Sequence, residues 1–403
     1  MADFFQNGPI ATLHRLSDRP TAELEADLAE WSVSTPLALV IPSLYRELER
    51  PAMNTIVNEL TRVPYLDEVI VGIDRADAVQ FADAKRFFTR LPQDHRLLWN
   101  DGPLLRELDQ ELQKEGIAPR HEGKGRNVWY CLGYFLARGR GSVVATHDAD
   151  IVGYSRDMLA RLLYPVAHPS FGYAFGKGYY YRSDGAQLNG RVSRLLVSPL
   201  IRALRDTLGA NDYLEYLDAF RYPLAGEFAM RSDVVHNLRI PSDWGLEIGL
   251  LSEVYRRYTP RRICQIDIAD AYDHKHRELS AHDPDSGLHK MAIDITKALF
   301  RKLAVDGEVF TTATFRTLKA SYYRGALDLV DQYHNDAVLN GLGFDRHREE
   351  EAVELFARAV MEAGSAFLEN PMETPFIASW SRVTSAIPDV FERLIEAVEA
   401  DAD

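Results

Sequence analysis

The run Val143-Val144-Ala145-Thr146-His147-Asp148-Ala149-Asp150-Ile151 decides the reading of this chain. Its apolar, β-branched start reads as a short buried strand, and it ends in two carboxylates one residue apart. In extended backbone, side chains at i and i+2 point to the same side, so Asp148 and Asp150 can together meet a ribose and a divalent cation. That pairing suits a nucleoside diphosphate. Upstream, Leu37-Ala38-Leu39-Val40-Ile41-Pro42-Ser43 and Val69-Ile70-Val71-Gly72-Ile73-Asp74 read as two more buried strands ending in polar or turn residues. The stretch from Arg46 to Leu60 can form a helix, giving the order strand, helix, strand of an α/β fold. An Asp-X-Asp motif alone is common in turns and at solvated strand ends. Its place at the carboxyl edge of a parallel sheet, where ligands gather, is what favours a functional reading.

Composition narrows the classes. A chain of 403 residues with 46% hydrophobic content can bury one large α/β domain with an appendage, or two domains. No apolar run approaches the roughly 20 residues that span a bilayer, so a soluble protein with no membrane partner is expected. The start, Met1-Ala2-Asp3-Phe4-Phe5-Gln6-Asn7-Gly8, lacks a basic segment and a continuous apolar stretch, which argues against a secretory signal. Two cysteines, Cys131 and Cys264, fit reduced thiols and a cytoplasmic location better than a disulfide framework. A net charge of -14 argues against broad nucleic-acid binding. An anionic substrate would need a local cluster of Arg, Lys and backbone N–H groups.

Along the chain, residues 1–34 read as a helical lead-in, with Thr21-Ala22-Glu23-Leu24 a helix start of capping-box type. The α/β pattern then continues through a helix around Ala78 to Leu91, a strand Arg96 to Trp99 and a helix Pro103 to Glu115 whose leucines keep one apolar face. In His121-Glu122-Gly123-Lys124-Gly125-Arg126-Asn127, two glycines flank a lysine at the entrance of an apolar-faced helix over Val128 to Ala137. That arrangement admits an anion, although it also serves as an ordinary turn and lacks the spacing of a Walker loop. The aromatic stretch Phe171 to Tyr181, followed by Ser183-Asp184-Gly185, reads as a β-hairpin, and such a strand serves a core more often than a sugar platform. After it, Gly190-Arg191-Val192-Ser193-Arg194 opens a helix with two arginines where cations oppose the dipole. Either a bound anion resolves the conflict or both arginines reach surface acids. Beyond about Leu279 the pattern turns helical, with Leu288, Met291, Ile295, Leu299 and Leu303 at helical spacing and a second amphipathic stretch over Glu349 to Leu368. This tail is expected to pack on the α/β domain or on a second subunit.

Taken together, these segments resemble the glucosyl-3-phosphoglycerate synthases, retaining glycosyltransferases of GT-A fold. The matching pieces are Val40-Ile41-Pro42-Ser43 with Glu47, Gly123-Lys124-Gly125, Asp148-Ala149-Asp150, Gly190-Arg191-Val192-Ser193, Pro223-Leu224-Ala225-Gly226-Glu227, Gly245-Leu246-Glu247-Ile248-Gly249-Leu250 and Asp273-His274-Lys275-His276-Arg277. They occur in the family's order over roughly residues 37–280. The resemblance implies a Rossmann-like GT-A domain with a mixed sheet over 35–280 and a mainly helical extension over 281–403. It also implies a cytoplasmic homodimer that moves glucose from UDP-, GDP- or ADP-glucose to 3-phosphoglycerate, with Mg²⁺ or Mn²⁺, as a step towards a compatible solute.

Site roles come from the same resemblance. Pro42, Ser43, Leu44, Glu47 and Asp74 would line the nucleotide. Lys124 would neutralise the diphosphate or hold the base, Asp148 with Ala149 would meet the ribose, and Asp150 would bind the metal together with His274, or alternatively His276. Glu227 would hold donor-sugar hydroxyls and Glu247 would position sugar and acceptor. Gly190, Arg191, Ser193 and Trp244 would bind the acceptor, Trp244 standing where the family often has tyrosine. Mannosyl-3-phosphoglycerate synthase and glucosylglycerate synthase are the neighbouring alternatives. A sugar-nucleotide nucleotidyltransferase is the alternative of another class, disfavoured because Pro42-Ser43-Leu44-Tyr45, not a glycine-rich basic loop, comes after the first strand. A silent nucleotide-sugar sensor is disfavoured by the intact Asp148, Asp150, Glu227 and Glu247.

Overall fold

A computed structural model describes residues 6, 8–119, 122–272, 287–371 and 376–402. At its centre lies β2 (Leu37–Leu44), whose first seven residues are all buried. Strands β3 (Leu66–Asp74) and β5 (Val143–Thr146) flank it in parallel, and β4 (Asp94–Trp99) extends the sheet beyond β3. On the other side β7 (Phe228–Arg231) runs antiparallel between β5 and β6 (Phe175–Arg182), with β8 (Ile263–Tyr272) and a three-residue edge strand β1 (Ala11–Leu13) beyond. The eight strands stand in the order β1-β8-β6-β7-β5-β2-β3-β4, a mixed sheet.

Both faces are covered, which is why the central strands read as continuous apolar runs. Leu39, Ile41, Val69 and Val71 face one core with α1 (Thr21–Ser32), α2 (Pro51–Leu60), α3 (Ala78–Phe88) and α6 (Arg156–Ala167). Ala38, Val40, Ile70 and Val144 face the other, with α4 (Pro103–Lys114) and α5 (Lys124–Arg138). That second core continues without a break into the C-terminal helices α11 (Gly287–Val305), α12 (Thr312–Leu339), α13 (Arg346–Glu369), α14 (Trp380–Ala386) and α15 (Val390–Ala402). Trp380 stacks on Trp129 of α5 at 4.1 Å between ring centroids, and Asp401 accepts from the backbone N–H groups of Leu104 and Leu105, capping α4. The helical region therefore packs on the α/β sheet of its own chain.

Four expectations change. The aromatic strand β6 forms no hairpin with the residues that directly follow it: it has β7 and β8 on its two sides, and past the Asp184 turn only the single bridge Ser183–Leu188 forms. The strand β5 ends at Thr146, where its ladders with β2 and β7 both stop, so Asp148 and Asp150 lie in the loop beyond it and strand alternation does not orient them. No capping box opens α1; Pro20 stands at its N-cap, and the Thr21 hydroxyl donates to Asp157 instead. The lead-in also contributes β1 to the sheet, so it is not helical throughout.

Candidate active site

The carboxyl ends of β2, β3 and β5 open on one edge, and the antiparallel β7 brings its amino end to the same edge. Thr146 pairs with Phe228, so Asp148 and Glu227, each just outside the ladder, become neighbours. Gly226 makes this approach feasible, since a Cβ there would stand 2.6 Å from Oδ1 of Asp148.

Helix α5 supplies the cation. Gly123 has φ 152° and ψ -179°, a conformation open essentially to glycine, and it turns the chain into the helix at Lys124. Gly125 lies against the Pro241 carbonyl, where a Cβ would stand 2.1 Å away. Asn127, buried one turn on, donates to the Gly72 carbonyl and pins the helix start over β3. So held, the Lys124 ammonium lies 2.5 Å from Asp148 Oδ1 and 3.2 Å from Glu247 Oε1. Burial opposes its charge, but the two carboxylates outweigh that and hold its pKa above the ordinary lysine range. Glu247 sits in the first turn of α10 (Leu246–Arg257), whose entry is set by the Asp243 carboxylate accepting from the Gly245 N–H across Trp244.

Asp150 shows the imbalance of the site. Burial first, then the adjacent Asp148, with Glu47 and Glu227 adding, push it up to about 6 against the pull of Lys124. This crowding of carboxylates around one lysine is a donor set that a dication would relieve. Among the described residues no group of three or more His, Cys, Asp or Glu side chains is arranged to hold a metal; His274 and His276 lie outside the described residues.

Among the nucleotide candidates, Pro42 pairs in register with Gly72 and Leu44 with Asp74, with the Ser43 side chain buried between them. Asp74 is raised to about 6 by burial, countered by the Asn127 and Asn100 amides and Arg126. Its successor Arg75 has φ 57°, an unusual left-handed turn at the strand end. Glu47 is buried in the short 3₁₀ turn Tyr45–Glu47 and pairs with Arg46 and Arg50, so it is not a solvated helix residue. Ala149 is buried between the two aspartates.

The acceptor candidates form a separate group. Gly190 has φ 80° and precedes a stretch, Val192–Val197, wound as a π-helix, a form that concentrates at functional sites. Ser193 is buried, and its Oγ has no hydrogen-bond partner among the described residues. Arg191 and Arg194 do reach an acid, but it is a buried one from the C-terminal region: Glu349 of α13.

Three residues escaped the sequence reading. Lys177 on β6 is wholly buried; its ammonium donates to the Ala225 carbonyl, and burial pushes it down to about 8 against the pull of Glu247 and Glu227. Tyr180, read as core, donates through its hydroxyl to Glu227 Oε2 at 2.7 Å. Glu349 could not have been placed without the tertiary fold. For Lys177 a signal existed, a lysine between two glycines inside an aromatic strand.

A glucosyl-3-phosphoglycerate synthase of Persephonella marina is 44% identical to this chain over 401 residues, covering 100% of this chain and 99% of that protein. The chain belongs to the glucosyl-3-phosphoglycerate synthase family. A second member, from Methanococcoides burtonii, is 40% identical over 99% of this chain and 98% of its own. Among solved structures, the glucosyl-3-phosphoglycerate synthase of Mycobacterium tuberculosis in complex with Mn²⁺, uridine-diphosphate-glucose and phosphoglyceric acid superposes with a TM-score of 0.54. It is 22% identical and covers 73% of this chain and 88% of that one, a likeness that shows the GT-A fold. No family model matches the chain. The alignments with the P. marina and M. burtonii proteins run from end to end and so include the C-terminal region of this chain.

Proposed function

We propose that this protein transfers glucose from a nucleoside-diphosphate glucose to 3-phosphoglycerate with retention of anomeric configuration, giving glucosyl-3-phosphoglycerate. The observation that carries the reading is the placement of Lys124, Asp148 and Glu247 in one hydrogen-bonded group at the sheet edge, in a chain 44% identical to a named synthase. A mycobacterial relative has been solved with uridine-diphosphate-glucose, which makes uridine the base to test first.

Departure of the diphosphate is the costly event, since negative charge grows on the leaving oxygen as the anomeric carbon becomes cationic. Lys124, held charged by Asp148 and Glu247, would stabilise that oxygen. Asp150 would hold Mg²⁺ or Mn²⁺, with His274 or His276 as the second protein ligand. When bound, such an ion supplies electrostatic stabilisation of the diphosphate. Glu227, fixed by Tyr180, is suited to the donor-sugar hydroxyls, and Glu247, fixed by Lys124, to orienting sugar and acceptor. Neither carboxylate is assigned as a covalent nucleophile. The acceptor hydroxyl attacks from the leaving-group side: its oxygen bonds to the anomeric carbon, the carbon–diphosphate bond breaks, and the proton passes to the departing diphosphate oxygen. Arg191 and Ser193 would take the carboxylate and phosphate of 3-phosphoglycerate.

A cytoplasmic homodimer is part of the proposal. Both cysteines are free and buried, and no helix among the described residues is long and apolar enough to cross a membrane. The test is to incubate purified protein with 3-phosphoglycerate or glycerate against UDP-, GDP- and ADP-glucose and GDP-mannose, with and without Mg²⁺ or Mn²⁺. Glucosyl transfer to 3-phosphoglycerate that requires the metal supports the reading, whereas preference for mannose or for glycerate reassigns the substrate. Comparing His274→Ala with His276→Ala then identifies the ligand, by which variant loses metal dependence.

A further inference from the structure

Glu349 is an unusual carboxylate. It is 2% exposed, sits in the first turn of α13, and gives one oxygen to each of two arginines from a different part of the chain: Oε1 to Arg191 Nε at 2.6 Å and Oε2 to Arg194 Nη2 at 2.8 Å. Arg194 is tied further, its Nε donating to the Asn189 carbonyl and its guanidinium lying over the Tyr333 ring of α12. Arg191 differs. It is 30% exposed and is held only through Nε, so its terminal nitrogens have no partner among the described residues.

We propose that Glu349 is a positioning residue of the acceptor site, by which the helical C-terminal region fixes Arg191 to receive an anionic acceptor. This rests on the assignment of Arg191 to 3-phosphoglycerate made above. One carboxylate shared by two guanidiniums leaves a positive charge in excess, so the pair is not neutralised and still attracts an anion. Holding Nε fixes the plane of the guanidinium while leaving the terminal donors for a carboxylate or phosphate. An arginine so restrained loses less rotamer freedom on binding than a free one. The buried position of Glu349 keeps water from competing for the restraint.

The test measures steady-state KM for both substrates, with 3-phosphoglycerate binding by calorimetry, in Arg191→Ala, Glu349→Gln and the double variant Glu349→Met with Arg194→Met. The double variant removes the buried charges together and covers the case in which Glu349→Gln alone fails to fold. The expected result is an acceptor KM raised by roughly tenfold in each, with the nucleotide-sugar KM within about twofold of wild type. An unchanged acceptor KM in the Glu349 variants, with Arg191→Ala impaired, overturns the inference alone. So does a loss in which both KM values rise together, since that marks a merely structural ion pair. An unchanged acceptor KM in Arg191→Ala overturns the underlying assignment instead.

Discussion

Gly226 lies against the carboxylate of Asp148, so closely that a Cβ there would stand 2.6 Å from Oδ1 and 2.7 Å from Cγ. The backbone of Gly226 is not in the left-handed region, so alanine is allowed conformationally and the clash alone is tested. Gly226→Ala should displace Asp148 from Lys124 and raise the nucleotide-sugar KM by roughly tenfold, with little change in the acceptor KM. Steady-state kinetics with each substrate varied in turn checks this. Wild-type kinetics would show that Asp148 is not held where the donor binds.

Lys124 stands between Asp148 and Glu247 as their shared cation. Replacing it with methionine keeps the length and removes the charge, leaving two carboxylates facing each other and, on the proposed mechanism, removing the support of the leaving group. A fall in kcat of about 100-fold is expected, the size seen when a preorganised electrostatic donor is lost. Single-turnover measurements separate this from a binding defect. A rise confined to KM, with kcat unchanged, would assign Lys124 to ground-state binding alone.

Lys177 makes stability depend on pH. Its pKa is lowered from the ordinary 10.5 to about 8, chiefly by burial and also by Lys124, while Glu247, Glu227 and Asp148 pull the other way. Between those two values the unfolded chain binds the proton and the folded chain has given it up, so stability rises with pH across that window. Thermal melts of wild type and Lys177→Met should therefore diverge in favour of wild type from about pH 8 upward. A constant difference from pH 7 to 10.5 would show that the burial of Lys177 does not disfavour its charge.

Trp380 anchors the C-terminal helices. Its ring stacks on Trp129 at 4.1 Å, its indole N–H donates to the Trp129 carbonyl, and that of Trp129 donates to the Ala378 carbonyl. Trp380→Ala should cost about 3–5 kcal/mol of stability, as for other large-to-small changes in a core. Denaturant unfolding measures the loss, and a change of less than about 1 kcal/mol would show the tail to be loosely docked.

The fold was legible where burial on both sheet faces writes itself into sequence: Leu37–Ser43, Val69–Asp74 and the apolar start of Val143–Ile151 read as buried strands and fall within β2, β3 and β5. Helix starts were less clear. Lys124 falls inside α5, because the helix begins there, after the Gly123 N-cap, before the apolar face at Val128 shows itself. Strand partners were not legible: the aromatic β6 looked like half of a hairpin, yet its neighbours β7 and β8 come some 50 and 90 residues later in the chain. In the site, Asp148, Lys124 and Glu247 were each singled out from motifs, but their joining in one group is a tertiary contact, and Glu349 was missed because its meaning lies entirely in a contact 158 positions from Arg191.

The most direct test of the whole account is the reaction itself, run with UDP-glucose, 3-phosphoglycerate and Mg²⁺ on wild type and Asp150→Ala, with the product's anomeric configuration read by NMR. Wild type should form glucosyl-3-phosphoglycerate with the donor's configuration retained, and Asp150→Ala should form none. An absence of glucosyl transfer from every nucleoside-diphosphate glucose, or an Asp150→Ala variant as active as wild type, would contradict it.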